Sequence, residues 1–583
     1  MTKQRRQETA ARLLIPLALL LVFILLGLTY GYYYAVNDDI SMRGIVAGGY
    51  MGRPDGHSIF INYVLGAALA ELYRLQSRID WYGLMMIGGA WLCLTLIILR
   101  VRRCCAGRKH AAWLFAAAVI GLALCFARHV LFFQFTTFSG LLAGTAVFLL
   151  LTRGEDERFG SYLIPVVLLW LSALVRRNVF FMFLPISSLV VCCDLLRLLR
   201  TKPANWKRAA VRPLAAALLL ALLFAGSEHI NKEAYSAPEW QEYISYRSSR
   251  SRILDYNGFP PYEGYEERWA EIGVTEEERE VIMAFGILPD IDAEKLGKIA
   301  ALSRSMDVES GTFEKIHDML SLLKASALKQ GCREQNLLLV LAFALVVLLW
   351  KRLRAEEKLL VVFGVLAELG ILLYLLNMGR LPTRVIAVFD WCGILCALGV
   401  ALRLAADGRL GAVRAERNAA LLAALVLLLG AVPFAAALEK ERSNYRENLK
   451  LYTAYSSDQN DPEHFYVCAT SAVTTVKQFT LIDTSEEDAL HNSCGTRGWS
   501  SRMPLLEERK RLYGIERDDH IFLADGVIFV DADTMMAEAF DRYFHSLGID
   551  ASHEIIKTVV LPNGKEILQI RWTGPSSLGN GKP

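Results

Sequence analysis

RLLIPLALLLVFILLGLTYGYYYAVNDD, residues Arg12–Asp39, decides how the rest of the chain is read. From Leu13 to Tyr34 the run matches the ~20 residues a helix needs to cross the hydrocarbon core of a bilayer. Its flank, Lys3, Arg5, Arg6 and Arg12, is basic, as expected on the cytoplasmic side. The apolar stretch exceeds the roughly 7–15 residues of a secretory signal and more such runs follow, so it reads as a retained anchor. Directly behind it, Asn37, Asp38 and Asp39 place two adjacent carboxylates at a water–lipid boundary. Acids held there can take a proton from a hydroxyl or hold a divalent cation that carries a phosphate-linked substrate.

Working outward, 54% of the 583 residues are hydrophobic and 21% are charged, too apolar for an ordinary soluble protein and too long for one domain. The net charge of +3 is nearly balanced, which argues against a nucleic-acid partner. Further apolar runs lie near 83–99, 111–127, 131–151, 162–175, 179–196, 214–225, 337–350, 359–376, 385–404 and 419–438. The expectation is a polytopic α-helical membrane protein of about eleven spans. Basic clusters at Arg100–Lys109, Arg200–Arg212, Lys351–Lys358 and Arg403–Arg417 all fall inside if the N-terminus is cytoplasmic.

That count requires His57 to Leu75, apolar enough to span, to lie along the outer surface instead. Ser58, Asn62, Gly66, Ala70 and Arg74 recur every fourth residue and give a helix there one distinct face. The resulting division is an N-terminal membrane module, 1–227, with its first external loop at 34–82; an external helical insert, 228–335; further membrane helices, 336–438; and an external mixed α/β domain, 439–583. In the insert, Thr275 with Glu278 makes a capping box, Asp292 can cap the next helix, and Arg252, Asp255 and Tyr256 precede a Phe259-Pro260-Pro261 turn. In the last domain, Phe465–Ala469, Thr480–Asp483 and Val527–Asp531 read as strands, Pro504–Tyr513 and Thr534–Leu547 as helices, and 555–561 with 566–572 as a hairpin.

Of 11 cysteines, eight sit in or beside spans; a Cys468–Cys494 disulfide is open outside them, and there is no paired Cys/His spacing for structural zinc.

Asn37-Asp38-Asp39, then Gly52-Arg53-Pro54-Asp55-Gly56-His57, then the amphipathic run to Tyr73 and Trp81-Tyr82, carry a resemblance. Together with the span plan and the external C-terminal domain, the chain resembles the GT-C glycosyltransferases. That group includes protein O-mannosyltransferases, aminoarabinose transferases and bacterial surface-polysaccharide glucosyltransferases. The likeness covers architecture in the membrane region and motif only in the first loop. It implies an enzyme of the plasma membrane that takes a sugar from a polyprenyl-phosphate carrier and passes it to an envelope glycan, lipid or protein at the outer face.

On that implication Asp38 or Asp39 is the base, with a divalent cation possible between them and no other cofactor indicated. Lipid phosphate would be held by arginines at outer helix ends, against the positive-inside bias: Arg128 beside His129, Arg176 with Arg177, and Arg380 with Arg384, joined by Arg53 and His57 of the first loop. Each has a plainer reading. The acids can be a solvated helix boundary, the arginines can pair with Glu228 or lipid headgroups, and a lone histidine is more often a hydrogen-bonded structural residue. Glu368 and Asp390 inside spans suggest either a substrate pathway or a satisfied interior. Asp531-Ala532-Asp533 reads best as a helix cap at Thr534. A transporter or flippase of lipid-linked precursors, and a noncatalytic anchor for the C-terminal domain, are the competing functions.

Overall fold

The computed structural model describes residues 3–49, 52–106, 111–154, 159–202, 206–285, 291–308, 312–329, 333–379, 381–409, 413–459, 461–469, 472–482, 492–496, 498–515 and 518–574. The chain opens with α1 (Lys3–Tyr30), a two-residue strand β1 (Tyr33–Tyr34), α2 (Asn37–Ala47), α3 (Tyr63–Leu75), α4 (Trp81–Cys105) and α5 (Ala111–Leu131). After β2 (Phe132–Phe133) come α6 (Phe135–Leu151), α7 (Gly160–Val175), α8 (Arg177–Thr201) and α9 (Trp206–Ala234). Eight helices among the described residues are long and apolar enough to cross a membrane, including α1, α4, α5, α8 and α9. Leucines on α1 such as Leu13 and Leu28 are more than half exposed, as expected of side chains that face lipid. The protein is an integral membrane protein.

Shorter apolar α6 is buried at every residue and forms the axis of the bundle, packing on α7, α8, α4 and, later in the chain, α17 (Thr383–Ala406). Gly140 permits that last contact, because a Cβ there would sit 2.6 Å from Val388 Cγ2. Between α9 and the remaining membrane helices lie α10 (Pro238–Ser251), α11 (Glu266–Ile272), α12 (Glu276–Phe285), α13 (Ala293–Val308) and α14 (Thr312–Ala327). The Thr275–Glu278 capping box is present, and Asp292 accepts from the Lys295 amide at 2.7 Å. Arg252–Asn257 is a π-helical turn that continues α10 rather than an irregular stretch. Then come α15 (Arg333–Leu349), α16 (Ala355–Asn377), α17 and α18 (Val413–Ser457), which runs unbroken past Glu439.

The C-terminal sheet has the order β4 (Ser493–Gly495), β3 (Phe465–Cys468), β5 (Val527–Asp531), β7 (Glu566–Thr573), β6 (Ser552–Val560), with β3 parallel to both its neighbours and the last three strands antiparallel. Helix α19 (Pro504–Leu512) packs on α10, and α20 (Met535–Ser546) packs on β6. Asp533 Oδ1 caps α20 by accepting from the Met535 amide at 3.0 Å.

Two expectations need correction. The described part of the expected strand, residues 480–482, does not join this sheet. Residues 477–482 instead run along the first loop, where the Lys477 and Leu481 carbonyls accept from Tyr34 and Asp80 and the Phe479 amide donates to Tyr32, while Asp483 lies outside the described residues. The segment is extended because it completes hydrogen bonds of a distant loop, a partner that local pattern cannot name. No disulfide joins Cys468 to Cys494, since Val467 is the register partner of Cys494 and so Cys468 projects to the opposite face. A single buried core, with Trp240, Trp269, Phe529 and Phe544 among its members, joins the insert to the C-terminal region.

Candidate active site

Pairing of β1 with β2 sets Tyr33 opposite Phe132 and brings the start of α2 beside the start of α6. Asp39 is completely buried there; its Oδ1 accepts from the Tyr82 hydroxyl at 2.8 Å and from the Phe135 amide at 3.0 Å. Phe135 is the first residue of α6, so Asp39 satisfies one of the N–H groups a helix start leaves unpaired. Oδ2 has no hydrogen-bond partner among the described residues. Burial pushes the Asp39 carboxyl well above its usual range, against the opposing pull of those two donors, and nearby Asp38 adds to the rise. Asp38, one residue earlier and half-buried, accepts at 3.1 Å from the indole Nε1 of Trp499, a residue of the C-terminal region.

A second carboxylate anchors the loop. Asp80 is buried and accepts from the Tyr34 hydroxyl at 2.6 Å, the Tyr73 hydroxyl at 2.9 Å and the Gly83 amide at 3.1 Å, with Arg43 Nε 3.0 Å away. Arg43 is also buried, so this ion pair locks α2, α3, β1 and α4 together. The expected surface helix is α3, which begins at Tyr63 once Asn62 accepts from the Val64 amide; Gly66, Leu69, Ala70 and Tyr73 form its buried face. Residues 57–62 before it are not helical.

Three arginines surround the acids. Arg176, at the α7–α8 junction, lies over the rings of Phe60 (5.2 Å) and Phe135 (4.9 Å). Arg247 of α10 lies over the same Phe60 ring at 4.6 Å. Burial first, then the charges of Arg384 and Arg247, pull the Arg176 guanidinium down to about 10, with Asp38 acting in the other direction. Arg384, in the first turn of α17, is also close enough to favour the charge on Asp39. The described cluster is therefore Asp38 and Asp39 beside Arg176, Arg247 and Arg384, with Phe60 and Trp499 packed edge-on at 5.0 Å beneath. Three cations against one accessible acid favour an anion, and guanidiniums suit phosphate oxygens.

Other sequence candidates are engaged elsewhere. Arg128 makes a two-pronged contact to Glu441 at 2.6 and 2.8 Å, Arg177 pairs with Glu228 at 3.0 Å, and exposed Arg53 reaches Glu508 at 3.3 Å. His57 lies between Asp55 (2.7 Å) and the Ala234 carbonyl (3.1 Å), stacked on Trp240, while His129 Nε2 meets the Gln335 amide at 2.7 Å. Arg380 lies outside the described residues. Asp390 is buried deeper in α17, and Glu368 lines a small apolar pocket of about 70 Å³ between α8, α15, α16 and α17. No group of three or more His, Cys, Asp or Glu among the described residues is placed to hold a metal. Asp39 faces Tyr82 and Phe135, and arginines already supply positive charge, so the pair is a poor fit for a divalent cation. Arg247, Trp499, Phe60, Arg43 and Asp80 carried no sequence signal, because each acquires its role only through contacts across long separations.

No family model matches the sequence, and no curated protein matches it. Two solved structures align along nearly the whole chain. ArnT from Cupriavidus metallidurans in the apo state is 11% identical, with 98% of this chain and 99% of that one covered and a TM-score of 0.38. The same protein bound to undecaprenyl phosphate is 10% identical, with 97% and 99% covered and a TM-score of 0.36. Superposition at that level carries no argument about chemistry, which rests on the side chains above.

Proposed function

We propose that this protein is a membrane glycosyltransferase that moves a sugar from a polyprenyl-phosphate donor to an envelope acceptor at the outer face. The observation that carries the reading is the grouping of Arg247, Arg384 and Asp38 around the buried Arg176 guanidinium. In this reading Asp38 takes the proton of an acceptor hydroxyl as its oxygen attacks the anomeric carbon. The bond from that carbon to the phosphate oxygen breaks, the electron pair leaves with the lipid phosphate, and the three guanidiniums stabilise the charge that develops there. Asp39, sealed from solvent with its carboxyl pKa raised by burial, positions α2 against α6 and leaves the proton transfer to Asp38. Trp499 orients Asp38 from the C-terminal region.

The same proposal fixes the topology. With a cytoplasmic N-terminus, α6, α7 and the first half of α18 complete eleven crossings. The segments 228–335 and 439–583 then lie outside the plasma membrane, above modules 1–227 and 336–438.

The test is transfer from a labelled sugar on undecaprenyl phosphate by the full chain in nanodiscs. Asp38→Asn is expected to lower the rate by ~10²–10⁴-fold with an unchanged melting temperature; a fully active variant removes the proposal. A transport reading draws on buried Asp390, whose Oδ2 lacks a hydrogen-bond partner among the described residues, and on neighbouring Glu368. Flux of the lipid-linked sugar in proteoliposomes without transfer would favour it.

A further inference from the structure

Strand β6 forms one edge of the C-terminal sheet, with β7 on one side and no strand on the other among the described residues. None of its nine residues is buried, although Ile555 and Ile556 stand at its centre, 50% and 40% exposed. Asp541 accepts from the His553 amide at 3.1 Å, so the open stretch of the edge runs from Glu554 to Val560. An apolar strand with one row of N–H and C=O groups facing outward is a template for another strand. A bulge commonly guards such an edge, and β6 has one, its register against β7 slipping at Ile556.

That slip decides what can pair there. Glu554 lies opposite Arg571 and Lys557 opposite Gln569, and those two β7 residues share a face. Glu554 and Lys557 therefore share it too, although an odd number of positions separates them. The contacts agree, since Arg571 donates to Glu554 at 2.9 Å while Lys557 and Gln569 both donate to Asp458 near the end of α18. A regular strand has no residue to match Ile556 and would fall out of step halfway along the edge. A second β6, given a half-turn about an axis between Ile555 and Ile556, carries the same slip at the same place. Glu554 then faces the second copy's Lys557, Lys557 faces the second copy's Glu554, and the isoleucines meet at the centre. Charge alternates across the contact, from Arg571 to Glu554, then to Lys557 and Asp458 of the second copy.

We propose that β6 is the docking edge for a second copy of this chain, the two strands pairing antiparallel with Glu554 opposite Lys557 across a two-fold axis. The contact joins the two C-terminal sheets into one and covers Ile555 and Ile556. It does not depend on the transferase reading.

The experiment reconstitutes the full chain in liposomes over a range of protein-to-lipid ratios and reads association by energy transfer between labelled copies. Wild-type protein is expected to pair. Glu554→Lys and Lys557→Glu, each at an exposed position, set like charges opposite one another in their own dimers. Each should weaken pairing by about tenfold or more, because two cross-strand pairs turn from attractive to repulsive. A one-to-one mixture of the two variants should regain pairing, since every cross-strand pair in the mixed dimer is again of opposite sign. That rescue separates the edge contact from damage within one copy, where the variants lose the Arg571 or Asp458 pairing. Wild-type monomers at every density, pairing that neither variant weakens, or a mixture no better than the variants alone overturns the inference.

Discussion

Asp39 is sealed under the Tyr82 hydroxyl and the Phe135 amide, so its native state keeps a proton that the unfolded chain releases above its usual value of 3.8. Where the native state binds more protons than the unfolded one, stability falls as pH rises. Wild-type stability should therefore decline as pH climbs from 3.8 through the raised native value, and Asp39→Asn, which can still accept from both donors, should flatten that slope. Melting temperature against pH in detergent checks it; an unaltered slope would mean Asp39 is ionised. Arg176 shows the opposite strain, a buried cation crowded by Arg247 and Arg384 that a bound phosphate would relieve. Arg176→Gln should weaken undecaprenyl phosphate binding by ~10–100-fold, the ~1.5–3 kcal/mol of a hydrogen bond to a charged group. Arg128→Gln should leave that affinity unchanged, because Glu441 already occupies Arg128. Isothermal titration on the two variants separates the cases.

Among elements, α3 was legible and its anchorage was not. The recurrence of Gly66 and Ala70 at helical spacing marks a face that packs closely, and both are buried. The helix starts six residues later than His57 because Asn62 caps it and Ile59 adopts a positive φ of 58°, held by the Tyr235 hydroxyl on its amide at 3.1 Å. What pins α2, α3 and α4 is the Arg43–Asp80 pair, read from neither residue's neighbours. Asp80→Ala leaves Arg43 as a buried cation without its carboxylate and two tyrosine hydroxyls without an acceptor. The expected cost is ~3–5 kcal/mol, seen as a large fall in melting temperature. A change under about 1 kcal/mol would show that water reaches Arg43 and that the clamp is dispensable.

For the molecule as a whole, the insert and the C-terminal region were read as separate units, yet their apolar residues form one core and α12 packs on α20. Trp269 of the insert is fully buried, its indole donating to the Pro261 carbonyl at 2.8 Å. Trp269→Ala should cost ~3–5 kcal/mol. Because the core is shared, amide hydrogen exchange should accelerate in α20 as well as in α11–α13; protection of α20 that survives the substitution would make the regions independent. Membrane helices were predictable because the bilayer demands long apolar runs with every backbone group paired within the segment. Capping at Thr275, Asp292 and Asp533 was predictable because caps are local chemistry. The sequence alone thus determined a polytopic helical membrane chain with an acidic pair behind its first long apolar helix. Only tertiary structure decided that Asp39 closes onto α6, that Trp499 returns from the far end of the chain to Asp38, and that Arg247, rather than Arg128 or Arg53, joins Arg176 and Arg384. Those assignments depend on which surfaces bury one another across hundreds of residues, and no local periodicity encodes such a choice.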